Sequence, residues 1–161
     1  MRRLFLIAGL VALSGVFASQ AAAGTTTVSV SMTFTEPIVY DIHSGCPVFP
    51  EGFCGNGIVV PFGHATEMIQ FGGACGGTCD LRTVNVAGGS IYIEETFSNF
   101  QCPGACAETR GNGFPGSGTL TDVVVGGTGI FTGATGNLSG SVTVGGLQSK
   151  IQLSGTITLQ T

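Results

Sequence analysis

The chain has 161 residues, only 9% of them charged, and a formal net charge of −4. Outside residues 1–23, three basic side chains stand against nine acidic ones, which excludes the basic surface that nucleic acids or anionic membranes require. Such a surface must be built from Gly, Thr, Ser, Asn and Gln, a composition typical of secreted β proteins and unusual for cytosolic enzymes.

Residues 1–23 have the pattern of a signal peptide. Two arginines precede an apolar run over residues 4–17, and three alanines precede the expected cleavage before Gly24. The run is too short to span a bilayer comfortably, which argues against the alternative of an uncleaved anchor. A twin-arginine signal is a further alternative. We therefore predict an exported protein, periplasmic or extracellular, with one domain over 24–161 and no membrane span after cleavage.

The remainder of the chain alternates apolar and polar residues with period two, which predicts β-strands and no helix. The expected strands are 26–35, 57–62, 64–71, 80–87, 90–98, 117–125, 136–144 and 147–160, with a ninth short strand at 38–42. About eight antiparallel strands with one apolar face each form either a sandwich or a closed barrel. A barrel leaves no exposed edge, so we predict a single all-β antiparallel barrel of about eight strands.

Two glycine pairs, Gly88-Gly89 and Gly145-Gly146, are expected to form two-residue hairpin turns. The registers that follow are Val86 with Ile91 and Val84 with Ile93 at the first turn, and Val142 with Ser149 and Leu138 with Leu153 at the second.

All six cysteines lie after residue 23, and an even count behind a signal peptide predicts three disulfide bonds. They are Cys46, Cys54, Cys75, Cys79, Cys102 and Cys106. We expect the first two to close their own loop. The register of the Gly88-Gly89 hairpin brings the other four to one end of the fold, where they pair either within or between their two segments. A four-thiolate metal site is the alternative, but the spacing and the oxidising compartment favour disulfides, so no metal is expected.

Residues 126–140 place six glycines around Phe131. A phosphate-binding loop would require a lysine next to its last glycine, whereas the nearest lysine is Lys150, and a dinucleotide fingerprint would require a following helix. No cofactor is therefore expected. We interpret the segment as a tight crossing between two late strands, with Phe131 closing one end of the core. The glycines expected at its turns are Gly127, Gly129, Gly133 and Gly136.

The sequence from Gly126 to Gly136, GGTGIFTGATG, followed by alternating strands to the C-terminus, resembles the signature of the allene oxide cyclase barrel-like group. That group includes the plant cyclases, the dirigent proteins and many exported bacterial proteins. The resemblance covers residues 117–160 and implies an eight-stranded barrel. It transfers no catalytic residue, because the first half of the chain has no matching motif, and the cysteine pairs depart from the plant enzymes.

Three charged residues share the apolar face of their predicted strands. The first hairpin register places Arg82 opposite Glu95, and Glu67 lies on the same face as Ile69. A buried guanidinium among carboxylates is costly unless it is fully hydrogen-bonded, so these residues are candidates for ligand binding or for acid–base catalysis. The alternative is a structural ion pair at the barrel rim, exposed to water.

No other catalytic pattern is present. The sequence has no nucleophile elbow and no zinc-binding helix motif, and His43 and His64 lack ligands at characteristic spacing, which predicts surface histidines. We therefore expect a barrel without enzymatic activity that binds a small apolar ligand or serves as an extracellular structural module. The alternative is a cyclase- or isomerase-like enzyme acting on an apolar ligand inside the barrel. A surface adhesin module is the third hypothesis, based on the Gly- and Thr-rich strands.

Overall fold

The computed structural model describes residues 24–37, 46–48, 51–102, 115–145 and 147–161. Its strands are β1 Thr25–Pro37, β2 Gly52–Val60, β3 Gly63–Ala74, β4 Cys79–Val86, β5 Gly89–Gln101, β6 Gly116–Gly127, β7 Thr135–Gly145 and β8 Gln148–Gln160. Each strand pairs antiparallel with the next along the chain, and β8 pairs with β1, which closes the barrel. The predicted all-β, eight-stranded barrel is confirmed. The segment 1–23 and the predicted short strand 38–42 lie outside the described residues.

Strand β2 begins five residues before the predicted start at residue 57. Its first half is rich in glycine and therefore resembles a loop in sequence. The glycines have a packing reason, because a Cβ at Gly57 would lie 2.4 Å from the ring of Phe34 and a Cβ at Gly55 would lie 2.7 Å from a carboxylate oxygen of Glu67. The inward face of β2 is thus free of side chains at these two glycines, where Phe34 and Glu67 from neighbouring strands occupy the space.

Both predicted hairpin registers are wrong by two residues. Val86 pairs with Gly89 instead of Ile91, because the first turn is formed by residues 87–88. Gly89 belongs to the ladder, and a Cβ there would lie 2.1 Å from the carbonyl oxygen of Thr128, so close backbone approach requires this glycine. In the second hairpin Val142 pairs with Ile151, since pairing continues to Gly145. An even shift preserves which face each side chain occupies.

The apolar interior runs along the barrel axis and is sealed at one end, which we call the closed end. Phe131 lies in a single 3₁₀ turn between β6 and β7, is fully buried, and packs edge to face with Phe62, with ring centroids 5.0 Å apart. The connection is fastened to the β4–β5 turn by a hydrogen bond from the amide of Ile130 to the carbonyl of Gly88. Gly129 permits this contact with φ of 61°, and a Cβ there would lie 2.0 Å from that same oxygen.

The opposite end, which we call the open end, carries the described cysteines. Cys46 is bonded to Cys54, which confirms the predicted pair, and Cys75 is bonded to Cys79, so of the two alternatives left open this segment pairs within itself. Cys102, after β5, is also disulfide-bonded, and Cys106 lies outside the described residues. The two placed disulfides join the start of β2 to the preceding segment and tie together the β3–β4 connection.

Candidate functional site

A single arginine occupies the centre of a buried charge cluster. Arg82 on β4 is 1% exposed, and its Nε and Nη2 atoms donate to the two carboxylate oxygens of Glu95 at 2.8 and 3.1 Å. Its Nη1 atom donates to Glu36 at 3.2 Å and also to Glu67. Glu36 in turn accepts a hydrogen bond from the hydroxyl of Ser149 at 2.6 Å. The guanidinium is therefore surrounded by three carboxylates from three other strands.

The barrel brings these side chains together by alternation and closure. Glu36 follows Phe34 on the inward face of β1, and Ser149 is its direct partner on β8. Arg82 is paired with Ile93, and Glu95 with Asp80, so the sequence-based expectation that Arg82 lies directly opposite Glu95 is wrong. The two side chains still meet, because diagonal neighbours on one face of an antiparallel pair remain within reach of long side chains.

Burial and charge repulsion shift the titration of the cluster. Burial raises the pKa of Glu67 from 4.5 to about 8, although Arg82 lowers it, and repulsion from Glu36 and Glu95 adds to the rise. Burial likewise raises the pKa of Glu95 against the opposing effect of Arg82. Burial alone would lower the pKa of Arg82, but its carboxylate neighbours hold that pKa well above its ordinary value. The single positive charge of Arg82 does not balance three carboxylates. The raised pKa values of Glu67 and Glu95 favour their protonation, which reduces the excess negative charge.

A fourth buried carboxyl extends the cluster. Asp122 on β6 is the direct partner of Glu95 and is fully buried. Neither of its carboxyl oxygens has a hydrogen-bond partner among the described residues, and the same holds for one oxygen of Glu67. Burial, followed by repulsion from Glu95, raises the pKa of Asp122 from 3.8 to about 7. Asp122 is therefore poised to gain or lose a proton near neutral pH.

A cavity of about 310 Å³ lies at the open end, above the charge cluster. Its wall is mostly apolar, and it includes Phe71 and Phe97, which are 45% and 44% exposed at the mouth. Its polar side chains are Glu36, Asp80, Arg82, Glu95 and Ser149. The remaining lining residues are Phe53, Ile69, Phe100, Leu120, Val142, Val144 and Ile151. The volume is at the lower end of the roughly 300–1,000 Å³ that is usual for ligand sites.

The structure brings the three residues predicted as a site into direct contact, but only two of them line the cavity. Arg82 and Glu95 line the cavity, whereas Glu67 belongs to the charge cluster but does not line the cavity. All three are buried, so the alternative of a water-exposed ion pair at the rim is wrong. Sequence reasoning missed Glu36 and Asp122. Glu36 follows Phe34 in the inward alternation of β1, and Asp122 lies between Leu120 and Val124 in that of β6. This alternation is the sequence signal that identifies both.

The remaining sequence candidates lie elsewhere. His64 is exposed on β3, and His43 lies outside the described residues. Across the parts of the chain that the structure describes, no group of three His, Cys, Asp or Glu side chains is arranged to hold a metal ion. Within those same ranges, no helix has the length and apolar character needed to cross a bilayer.

The chain matches no protein-family model, no curated protein and no solved structure at a significant level. The resemblance of residues 117–160 to the allene oxide cyclase barrel-like group therefore stays a prediction from the sequence.

Proposed function

We propose that this protein is an exported barrel that binds a small, predominantly apolar molecule in the cavity at its open end and does not transform it. The observation that carries the proposal is the cavity itself, whose apolar wall surrounds a few convergent polar groups. This combination is the usual form of a small-molecule site. It favours binding over a purely structural or adhesive module, for which a filled interior would suffice. Membership of the allene oxide cyclase barrel-like group, proposed from residues 117–160, is compatible with this role.

The rigidity of the site supports the same role. The polar groups project from β-strands and are hydrogen-bonded to one another. Arg82 donates two hydrogen bonds to Glu95, and the Ser149 hydroxyl donates one to Glu36. A disulfide joins Cys75 to Cys79 beside Phe71 and Asp80 at the mouth. Preformed sites of this kind bind without a large cost in ordering.

Binding of the neutral fluorescent probe N-phenylnaphthylamine tests the proposal. Val144 lines the cavity, so Val144→Trp is expected to fill it and to weaken binding at least tenfold. The matched control is Val125→Trp, since Val125 is 48% exposed and is not among the residues that line the cavity. The proposal fails if the wild-type protein shows no saturable binding, or if both variants bind equally well.

A cyclase- or isomerase-like activity is the second candidate, and Glu95 is the observation that favours it. Glu95 lines the cavity, and its raised pKa moves it towards the range in which a carboxyl group exchanges protons with a ligand. An enzyme of this type would introduce solvent deuterium into a molecule that co-purifies with the protein, and Glu95→Gln would abolish the exchange. Absence of exchange in the wild-type protein would refute this candidate and leave binding without catalysis.

A further inference from the structure

The cavity at the open end contains an excess of acidic side chains. Glu36, Asp80 and Glu95 line it, and Arg82 is its single basic lining residue. Two more buried carboxyl groups, Glu67 and Asp122, belong to the same charge cluster, but their raised pKa values favour the protonated form near neutral pH, so the imbalance comes from the three lining carboxylates. Charges in a poorly solvated interior interact more strongly than charges in water, so this imbalance produces a negative potential at the cavity floor.

The hydrogen bonds of Arg82 leave it little capacity to bind an anion. A guanidinium has five N–H groups. Four of them are used in the bonds to Glu95, Glu36 and Glu67. The carboxylates are in the opposite situation, because each oxygen of Glu36 and Glu95 accepts one bond from these partners. A carboxylate oxygen has two lone pairs, so acceptor positions remain at the floor of the cavity.

Aromatic rings reinforce the preference for positive charge. Four phenylalanines line the cavity in two contacting pairs, Phe53 with Phe71 at 5.2 Å and Phe97 with Phe100 at 5.5 Å between ring centroids. The face of an aromatic ring carries partial negative charge and attracts cations, including alkylammonium groups. The same rings provide an apolar surface for the rest of a ligand.

We propose that the cavity selects organic cations, namely molecules with a protonated amine or a quaternary ammonium group on an apolar body. This inference rests on the proposed binding function. A protonated amine donates to Glu36 and Glu95 while its apolar part contacts the phenylalanines. A fatty-acid-like anion instead places its carboxylate against those of the floor, where Arg82 offers one remaining N–H group.

Three probes of equal chain length separate charge from apolar contact: octylammonium, octanol and octanoate, titrated into the intact protein by calorimetry near neutral pH. We expect octylammonium to bind at least tenfold more tightly than octanol, and octanoate to bind most weakly. Equal or tighter binding of octanol or octanoate overturns the selectivity and leaves the binding function in place. Failure of all three to bind overturns the selectivity, and the binding function is overturned as well if N-phenylnaphthylamine also fails to bind.

Neutralising variants locate the preference in the cavity. Glu36→Gln and Asp80→Asn each remove one negative charge from the lining and are expected to weaken octylammonium binding about fivefold to tenfold without weakening octanol binding. The two residues lie on different strands, so one variant serves if the other does not fold. The control is Glu94→Gln, since Glu94 is adjacent to Glu95 but does not line the cavity. An equal loss in the control, or no loss in either lining variant, contradicts the proposal.

Discussion

The two ends of the barrel use phenylalanine in opposite ways. At the closed end Phe131 is fully buried and packs edge to face with Phe62, so the ring fills the space between the strands. At the open end Phe97 is 44% exposed and contacts Phe100 at the wall of a cavity. The closed end therefore contributes packing to stability, and the open end retains apolar surface that is available to a ligand. The charge cluster around Arg82 lies between these two regions.

The largest loss of stability is expected at Arg82, which lies between the closed end and the open end. Replacement by Met leaves three buried carboxyl groups without their cation and should lower the free energy of unfolding by on the order of 5 kcal/mol near pH 8. The loss should be smaller near pH 5, where the carboxyl groups can be protonated. Urea unfolding at both pH values measures it, with the exposed Lys150→Met as control. A loss that is equal at both pH values would contradict the electrostatic account of the cluster.

The same substitution at each end then tests the comparison itself. Phe131→Ala removes a fully buried ring and should lower the free energy of unfolding by about 4 kcal/mol. Phe97→Ala should cost about 1 kcal/mol or less, because nearly half of that side chain is already exposed, but it should weaken binding of N-phenylnaphthylamine. Chemical denaturation measures the stability loss of each variant, and probe titration measures the affinity of each for N-phenylnaphthylamine. Equal stability losses would show that the two ends are not packed differently.

A smaller effect is expected from the disulfide beside the cavity mouth. Replacing Cys75 and Cys79 together by Ser should lower the free energy of unfolding by about 2 kcal/mol, as expected for a cross-link between residues only four positions apart. The amide of Gly72 donates to Asp80 at 2.8 Å across this turn, so probe affinity should fall as well. Paired serine substitution of Cys46 and Cys54 is the comparison variant. Unchanged stability would mean that the turn is held by its backbone alone.

A further modest effect, which changes with pH, is expected at Asp122. The folded protein retains the proton on Asp122 up to about pH 7, whereas the ordinary value is 3.8, so its contribution to stability decreases as pH rises through that window. Asp122→Asn carries no such proton. Its free energy of unfolding should therefore match that of the wild type near pH 4 and exceed it by about 1–2 kcal/mol near pH 8. This figure allows for neighbouring carboxyl groups that titrate together with Asp122.

Thermal unfolding across pH measures this difference, and Glu94→Gln on the neighbouring strand is the control. A stability difference that is constant with pH would show that Asp122 is not the titrating group.

The inward face of each strand could be predicted from sequence, because period-two alternation is unaffected by an even error in register. Arg82, Glu67 and Glu95 were therefore assigned to the apolar face correctly, whereas their burial away from the rim is a finding of the structure. The exact register could not be predicted, since the choice of turn depends on the contact of Gly89 with Thr128, which is remote in sequence.

The composition of the charge cluster was predicted only in part. The first strand was expected to end at residue 35, one position before Glu36, and the partners of Glu36 lie on β4 and β8. Only barrel closure brings those strands together. The position and size of the cavity could not be predicted either, because they depend on the volumes of side chains from several strands.

The central claim is that the open end binds a ligand and the closed end does not. Amide chemical shifts of the isotope-labelled protein, followed during titration with octylammonium, test this claim most directly. We predict saturable shift changes around Phe71, Arg82, Glu95 and Ser149, and none around Phe62 and Phe131. Shift changes centred on the closed end, or scattered over the outer surface without saturation, would contradict it.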